Sequence, residues 1–271
     1  MNNISVIDLH THTKNSPDGN HEALFMAETA RDNKIHTVAF TDHCEVDYFY
    51  SDNYDKVVEN SYRDVSEVAE KLKGQINILK GVELAQPHYI PELAEKIINT
   101  YDYDVVIGSI HNLRNHEDFY NWKSFDGIDI EATMNEYFDE LIKMLEWGNF
   151  EILAHITYPF RYIFNHCGYI EDIDKYKTKV DELLKLCAEK DKALEINMGG
   201  LKYPINKPSP DLETIKRYKE LGGKLVSVGS DSHYAERIGV NIDKAYEIAR
   251  AAGFKSVATF KDRKVFEFAI V

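Results

Sequence analysis

The chain has 271 residues, of which 44% are hydrophobic and 29% charged, with 46 acidic against 32 basic side chains and a formal net charge of −14. That is ample apolar material for one domain over residues 1–271, with no run near the roughly 20 apolar residues of a membrane span and no basic-then-apolar leader, so a cytoplasmic location is expected. The acidic balance, with no Lys/Arg cluster against it, makes nucleic acid a poor partner, so none is expected, and three widely spaced cysteines (Cys44, Cys167 and Cys187) fit reduced thiols rather than a disulfide framework.

An apolar run, Ile4 to Ile7, predicts a first strand over Ile4–Leu9 that delivers Asp8-Leu9-His10-Thr11-His12-Thr13. On a strand, residues two apart point to one side, so His10 and His12 can reach a common point. The turn Ser16-Pro17-Asp18-Gly19 and a helix over His21–Asn33 come next, then a strand over Thr37–Thr41 that ends in Asp42-His43. A long connection, Cys44–Asn60, leads to a helix over Tyr62–Lys73 and a strand over Ile76–Glu83. A helix over Pro91–Asn99 and a strand over Val105–Ile110 set His111 at another strand end, before a second long connection, Asn112–Asp129. Then follow helix Glu131–Trp147, strand Ile152–Ala154 before His155, helix Ile173–Lys190 and strand Ala193–Ile196. Helix Pro210–Leu221, strand Leu225–Val228 before Asp231-Ser232-His233, helix Asp243–Ala252 and two strands near Val257–Phe260 and Lys264–Ala269 complete the pattern. Ser209 and Pro210 offer an N-cap and first helical residue, and Gly222-Gly223 the stop.

Such alternation implies parallel strands joined by crossover helices, and a chain of this length suits a single (β/α) barrel of seven units. Barrel active sites lie where strands end, and the two long connections, rich in Tyr, Phe, Asp and Asn, follow strands on that face. Six of the eleven histidines (His10, His12, His43, His111, His155 and His233) fall at strand ends with Glu83 and Asp231, and Asp18 follows His12 closely. A catalytic zinc takes about three protein ligands, so nine such residues imply two or three ions. His21, His36, His88, His116 and His166 lack a ligand partner at short spacing and read as solvated or structural.

These residues resemble the polymerase and histidinol phosphatase (PHP) family of metal-dependent phosphoesterases. The motifs are Asp8-Leu9-His10-Thr11-His12, Thr41-Asp42-His43, Gly81-Val82-Glu83, Gly108-Ser109-Ile110-His111, Ala154-His155 and Gly229-Ser230-Asp231-Ser232-His233. Ala193-Leu194-Glu195-Ile196-Asn197, Gly200-Leu201 and Pro208-Ser209-Pro210 are similar to the stand-alone histidinol-phosphate phosphatases of that family. The resemblance implies an α/β fold, a distorted (β/α)7 barrel with a trinuclear metal centre, and hydrolysis of L-histidinol phosphate. It gives His10, His12, Glu83 and Asp231 to one ion, Glu83, His111 and His155 to a second, and Asp18, His43 and His233 to a third. Many members have His where this chain has Asp18, and a harder carboxylate ligand shifts preference from zinc toward iron or manganese.

Three divalent ions against Asp18, Glu83 and Asp231 would leave a centre of about +3, which attracts a phosphate dianion and activates water. Asp231 is the expected proton acceptor, His233 chiefly a ligand, and Arg161 resembles a phosphate-binding arginine, with Lys202, Arg114 or Lys14 as the next choices. Glu45, Asp47, Tyr48, Phe49, Glu117, Asp118, Phe119 and Trp122 in the two long connections are the groups available to a small, cationic, aromatic substrate. Two other functions are carried: a phosphoesterase acting on nucleotide-type phosphates or as a nuclease, which a basic groove would favour and the chain's acidity opposes, and a metal-loaded binding module without turnover, which the intact ligand set opposes.

Overall fold

The computed structural model describes residues 6–270, so the first two residues of the expected strand Ile4–Leu9 lie outside it. The apolar runs form β1 (Val6–Thr11), β2 (Ile35–Phe40), β3 (His43–Glu45), β4 (Asn77–Ala85), β5 (Val105–Ser109), β6 (Ile152–Leu153), β7 (Ala193–Asn197) and β8 (Val226–Gly229). All pair in parallel, in the order β1-β2-β4-β5-β6-β7-β8. β2 runs beside the first half of β4, with Thr37 opposite Asn77, and β3 beside the second half, with His43 opposite Glu83. The two make one stave interrupted at Thr41-Asp42, and the seven staves form a distorted (β/α)7 barrel.

The distortion lies at the seam between β8 and β1, where the ladder shrinks to a bridge between Thr11 and Ser232. His12 N–H donates to Ser232 O at 2.8 Å, and Asp231 N–H to His10 O at 2.9 Å. Buried Asp8 closes the rest of the gap, accepting from Ser230 N (2.9 Å), Ser230 Oγ (2.6 Å) and Gly239 N (2.8 Å). A charge left unpaired at such depth would be costly. Here three donors converge on it and tie the last stave to the first.

The helices are α1 (Ala23–Asp32), α2 (Tyr54–Lys71), α3 (Pro91–Ile98), α4 (Ile130–Trp147), α5 (Phe160–Cys167), α6 (Lys177–Glu189), α7 (Leu212–Glu220) and α8 (Ile242–Ala251). Helix α2 starts eight residues before the expected Tyr62, because Tyr54, Val58, Ser61, Val65 and Val68 already form one buried face at helical spacing. The connection Cys44–Asn60 is correspondingly shorter, since β3 takes its start and α2 its end. Helix α5 was not expected; its two turns bury Phe160, Arg161, Tyr162 and Ile163 and stop at Gly168, whose φ of 74° suits glycine. The N-cap of α7 is Asp211, which accepts from Thr214 N at 3.1 Å, rather than Ser209. Ser209 is held upstream by a backbone bridge to Asn197, the end of β7.

The chain ends in an antiparallel hairpin of β9 (Ser256–Lys261) and β10 (Lys264–Ala269). Arg263 at its turn reaches Asn149 O at 2.9 Å and Glu151 Oε1 at 3.0 Å, beside the start of β6. The main apolar core fills the barrel and the layer of helices around it, while a smaller cluster joins Met26, Ala27 and Ala30 of α1 to Val38, Phe40, Val65 and Val68.

Candidate metal centre

Because the strands are parallel, their C-terminal ends share one rim, and that rim gathers the other eight expected ligands around Glu83 on β4. Glu83 is fully buried. Its Oε2 lies 2.8 Å from His43 Nδ1, 3.3 Å from His10 Nε2 and 3.6 Å from His12 Nε2. Its Oε1 lies 2.9 Å from His155 Nε2 and 3.1 Å from His111 Nε2. Asp231 Oδ1 is 3.6 Å from His12 Nε2 and 3.7 Å from His233 Nδ1. Half-exposed Asp18 reaches His233 Nε2 at 3.0 Å and His43 Nε2 at 3.5 Å.

Burial alone would push the Glu83 carboxyl up, but His10, His111 and His43 hold it well below the usual carboxylate range. Against the same penalty, His43 and His233 hold Asp18 at about 2, and Lys202, His10, His233 and Arg161 hold Asp231 low. Burial, with His233 and His43 nearby, keeps His12 far below the ordinary imidazole value, and burial lowers His155 as well. Against burial, Glu195 and Glu83 raise His10, Glu45 and Glu83 raise His111, and Glu83 and Asp18 bring His43 to about 9, so the carboxylates stand ready as ligands while His10, His43 and His111 would release a proton to a metal.

His10 Nε2, His12 Nε2, His43 Nδ1 and Glu83 Oε2 are buried without a hydrogen bond, the last two meeting at 2.8 Å out of hydrogen-bond alignment. An unsatisfied buried polar atom costs about 1–3 kcal/mol, so four of them facing inward need a common explanation. A divalent cation supplies it. Among the described residues, three groups have ligand atoms within 4.8 Å of one another: His10, His12 and Glu83; His43, Glu83 and His111; and His12, His43 and His233. The first matches part of the expected first-ion set, while His12 and His43 each belong to two groups, so the other sets overlap more than the sequence implied.

Further groups orient the imidazoles, and the sequence reading missed their role. Glu195 on β7 takes His10 Nδ1 at 2.7 Å, and its other oxygen accepts from His155 N–H at 2.9 Å. Glu45 takes His111 Nδ1 at 2.8 Å. Ser16 Oγ lies 3.2 Å from His12 Nδ1 and donates to Asp42 Oδ1 at 2.7 Å. Each contact assigns the Nδ1 proton and turns Nε2 toward the centre. A Cβ added at Gly229 would meet His10 Cβ at 2.4 Å, so glycine is required there for the approach of β8 to β1.

The centre opens into a cavity of about 740 Å³. Arg161 lines it, its Nη1 3.6 Å from Asp231 Oδ2, as does Lys202, whose Nζ donates to Asp231 O at 3.3 Å. Asp231 has a φ of 53°, an uncommon backbone for a non-glycine residue and one often found at functional sites. Of the eight residues singled out in the long connections, Glu45 and Asp118 line the cavity. Phe119 is buried in the core, Phe49 and Trp122 pack against it, Asp47 bonds to Asn112 and Gln86, and the Tyr48 hydroxyl is spent on His116 O. Glu117 accepts from Trp122 Nε1 through its carbonyl. The five histidines set aside stay outside this cavity, His88 in a buried contact with Glu140 at 2.6 Å.

Fold and site together define a barrel that houses a divalent-metal centre at its strand ends. The chain belongs to the PHP domain family, whose model matches residues 8–199. It is 29% identical to a probable histidinol-phosphatase of Clostridium acetobutylicum, over 97% of this chain and 100% of that one. It is 25% identical to a histidinol-phosphatase of Lactococcus lactis over 96% of each chain. Among solved structures it is similar to the L. lactis histidinol phosphate phosphatase complexed with zinc, L-histidinol and phosphate, with a TM-score of 0.80 at 23% identity, covering 97% of this chain and 99% of that one.

Proposed function

We propose that this chain is a metal-dependent phosphomonoesterase that hydrolyses L-histidinol phosphate to L-histidinol and inorganic phosphate, a step of histidine biosynthesis, with residues 1–271 acting as one barrel domain in the cytoplasm. The observation that carries the reaction is the convergence of unpartnered ligand atoms on Glu83 in a cavity that also presents Arg161 and Lys202. The names of the relatives support the substrate, and their near full-length coverage supports the whole chain as the active unit. Three free cysteines and the absence of any helix long and apolar enough to cross a membrane, among the described residues, accord with the location.

Three divalent ions would be held by His10, His12, Glu83 and Asp231, by Glu83, His111 and His155, and by Asp18, His43 and His233, with zinc, iron or manganese as the metal. Such ions supply Lewis acidity to phosphate oxygens and make water a nucleophile near neutral pH. Arg161 presents a planar fork to phosphate oxygens, and stacking over Tyr158 at 4.9 Å and Tyr203 at 5.4 Å fixes its plane. Lys202 adds a second positive charge beside the phosphate. Asp231, held ionised, takes the proton of the attacking water and returns it to the departing alkoxide, while His233 keeps its place as a ligand.

Turnover of metal-loaded protein on L-histidinol phosphate, p-nitrophenyl phosphate and a nucleotide monophosphate, with elemental analysis of the same sample, tests this reading. The expected result is close to three ions per chain, activity abolished by chelation, and a large preference for the first ester. Equal rates on all three esters, or full activity in metal-free protein, would overturn it.

A further inference from the structure

Five carboxylates line the catalytic cavity: Asp18, Glu45, Glu83, Asp118 and Asp231. Four are committed to histidines. Glu83, Asp231 and Asp18 face the imidazoles of the metal centre, and Glu45 divides its oxygens between His111 Nδ1 and Gln86 Nε2, each at 2.8 Å. Asp118 alone has no such partner. Both of its hydrogen bonds, from Tyr120 N–H at 2.7 Å and Tyr158 Oη at 2.8 Å, fall on Oδ1. Oδ2 is left to whatever enters the cavity.

We infer that Asp118 is the specificity-determining residue of this site, its Oδ2 receiving the primary ammonium of a phosphate ester that carries an amine next to the ester carbon. The inference rests on the phosphomonoesterase reading and deepens it by assigning the substrate's cation to a residue.

Position supports the assignment. Tyr158, which holds Asp118, has its ring 5.0 Å from that of His111 and 5.1 Å from that of His155. Asp118 therefore stands one side chain beyond the metal centre. In L-histidinol phosphate the amine is borne by the carbon adjacent to the ester carbon, which suits that reach. Tyr120 and Tyr162 also line the cavity and offer ring faces to the imidazole. Burial raises the Asp118 carboxyl, with His111 working against it and Glu45 adding to it, so a cationic partner at Oδ2 would favour the ionised form.

A rival role is structural, since Asp118 also caps the short turn Phe119–Asn121. The deciding quantity is the ratio of kcat/KM for L-histidinol phosphate over its desamino analogue, measured in the metal-loaded enzyme. Wild type should favour the amine, and Asp118→Asn should shrink the ratio about 10- to 150-fold, chiefly through KM. A structural role lowers both substrates alike and leaves the ratio intact. Asp118→Ser, which keeps an acceptor for Tyr120 N–H, replaces the Asn variant if that one fails to fold. No amine preference in wild type, or a ratio that survives loss of the carboxylate, overturns the inference. If wild type cleaves neither imidazole ester, the histidinol phosphate reading fails separately, and Asp118 is judged by the same ratio for O-phosphoethanolamine over ethyl phosphate.

Discussion

Each imidazole at the centre has two nitrogens, and which one faces Glu83 is decided by what holds the other. Glu195, Glu45 and Ser16 take the Nδ1 of His10, His111 and His12, whereas His43 turns its own Nδ1 inward, 2.8 Å from Glu83. That these side chains would gather at one rim was legible in the sequence, because a His or acid closing an apolar run marks a strand end. Their supports were not: Glu45 meets His111 only once β3, β4 and β5 lie side by side, and Ser16, four residues past His12, returns to its Nδ1 through a turn rather than by strand spacing. Glu195 left a trace: a charged residue inside the buried run Ala193–Asn197 must have a partner. Arg161, named by resemblance, lines the same cavity, and its proposed role is separable from that of the proposed ligands. Arg161→Met keeps much of the side chain's length without the fork, so metal content should stay at the wild-type level while catalytic efficiency falls. Loss of a charge-assisted contact is worth about 1.5–3 kcal/mol, roughly 10- to 150-fold in kcat/KM. Unchanged efficiency and unchanged inhibition by inorganic phosphate would show that Arg161 does not meet the phosphate, leaving Lys202 to do so.

Among the elements, the strands were easier to read than the helices around them. A parallel strand buried on both faces is a continuous apolar run, as in Val105–Ser109, whereas α2 begins within a Tyr/Asp/Asn-rich stretch whose helical face shows only once Tyr54 and Val58 are seen to be buried. Helix α5 has two turns, too few for a periodic pattern to stand out from its loop. Tertiary contacts also fix elements that local pattern leaves free. The turn after β4 is clamped to α4 by His88 on Glu140 Oε2 at 2.6 Å, while Lys143 holds Oε1 at 2.7 Å. Burial opposes ionisation of Glu140, yet these hydrogen bonds bring its carboxyl from the ordinary 4.5 down to about 2. A carboxyl lowered on folding stabilises the native state fully above its unfolded value and loses that effect as pH falls through its folded value. The contribution, about 3 kcal/mol at neutral pH, should fade between pH 4.5 and about 2. Glu140→Gln should therefore lower the unfolding free energy at pH 7 by that order, with wild type and variant converging toward pH 2 in urea titrations. A constant difference across that range would show that packing, not charge, sets the cost.

At the scale of the whole molecule, the proposed ligands come from every stave except β7, and β7 contributes Glu195 from behind. The ions would thus join staves that the backbone joins only weakly, above all at the seam, where β8 and β1 share a single bridge while His10 and His12 stand on one side and Asp231 and His233 on the other. Removing the ions should loosen this rim more than the opposite end, which the Arg263 contacts to Asn149 and Glu151 hold without metal. Binding to the native state alone stabilises by about 4 kcal/mol when free ligand exceeds Kd a thousandfold, and each kcal/mol moves Tm by about 2–4 °C in a chain near this size. Even one such site predicts a fall of about 8–16 °C after chelation, and further sites increase it. Calorimetry of metal-loaded and chelated protein measures the fall. Amide hydrogen exchange should locate the loss of protection at residues 10–20 and 229–239, with the hairpin turn unchanged. Equal Tm values, or protection lost evenly along the chain, would mean that the barrel closes without its metals and that the ions serve the chemistry alone.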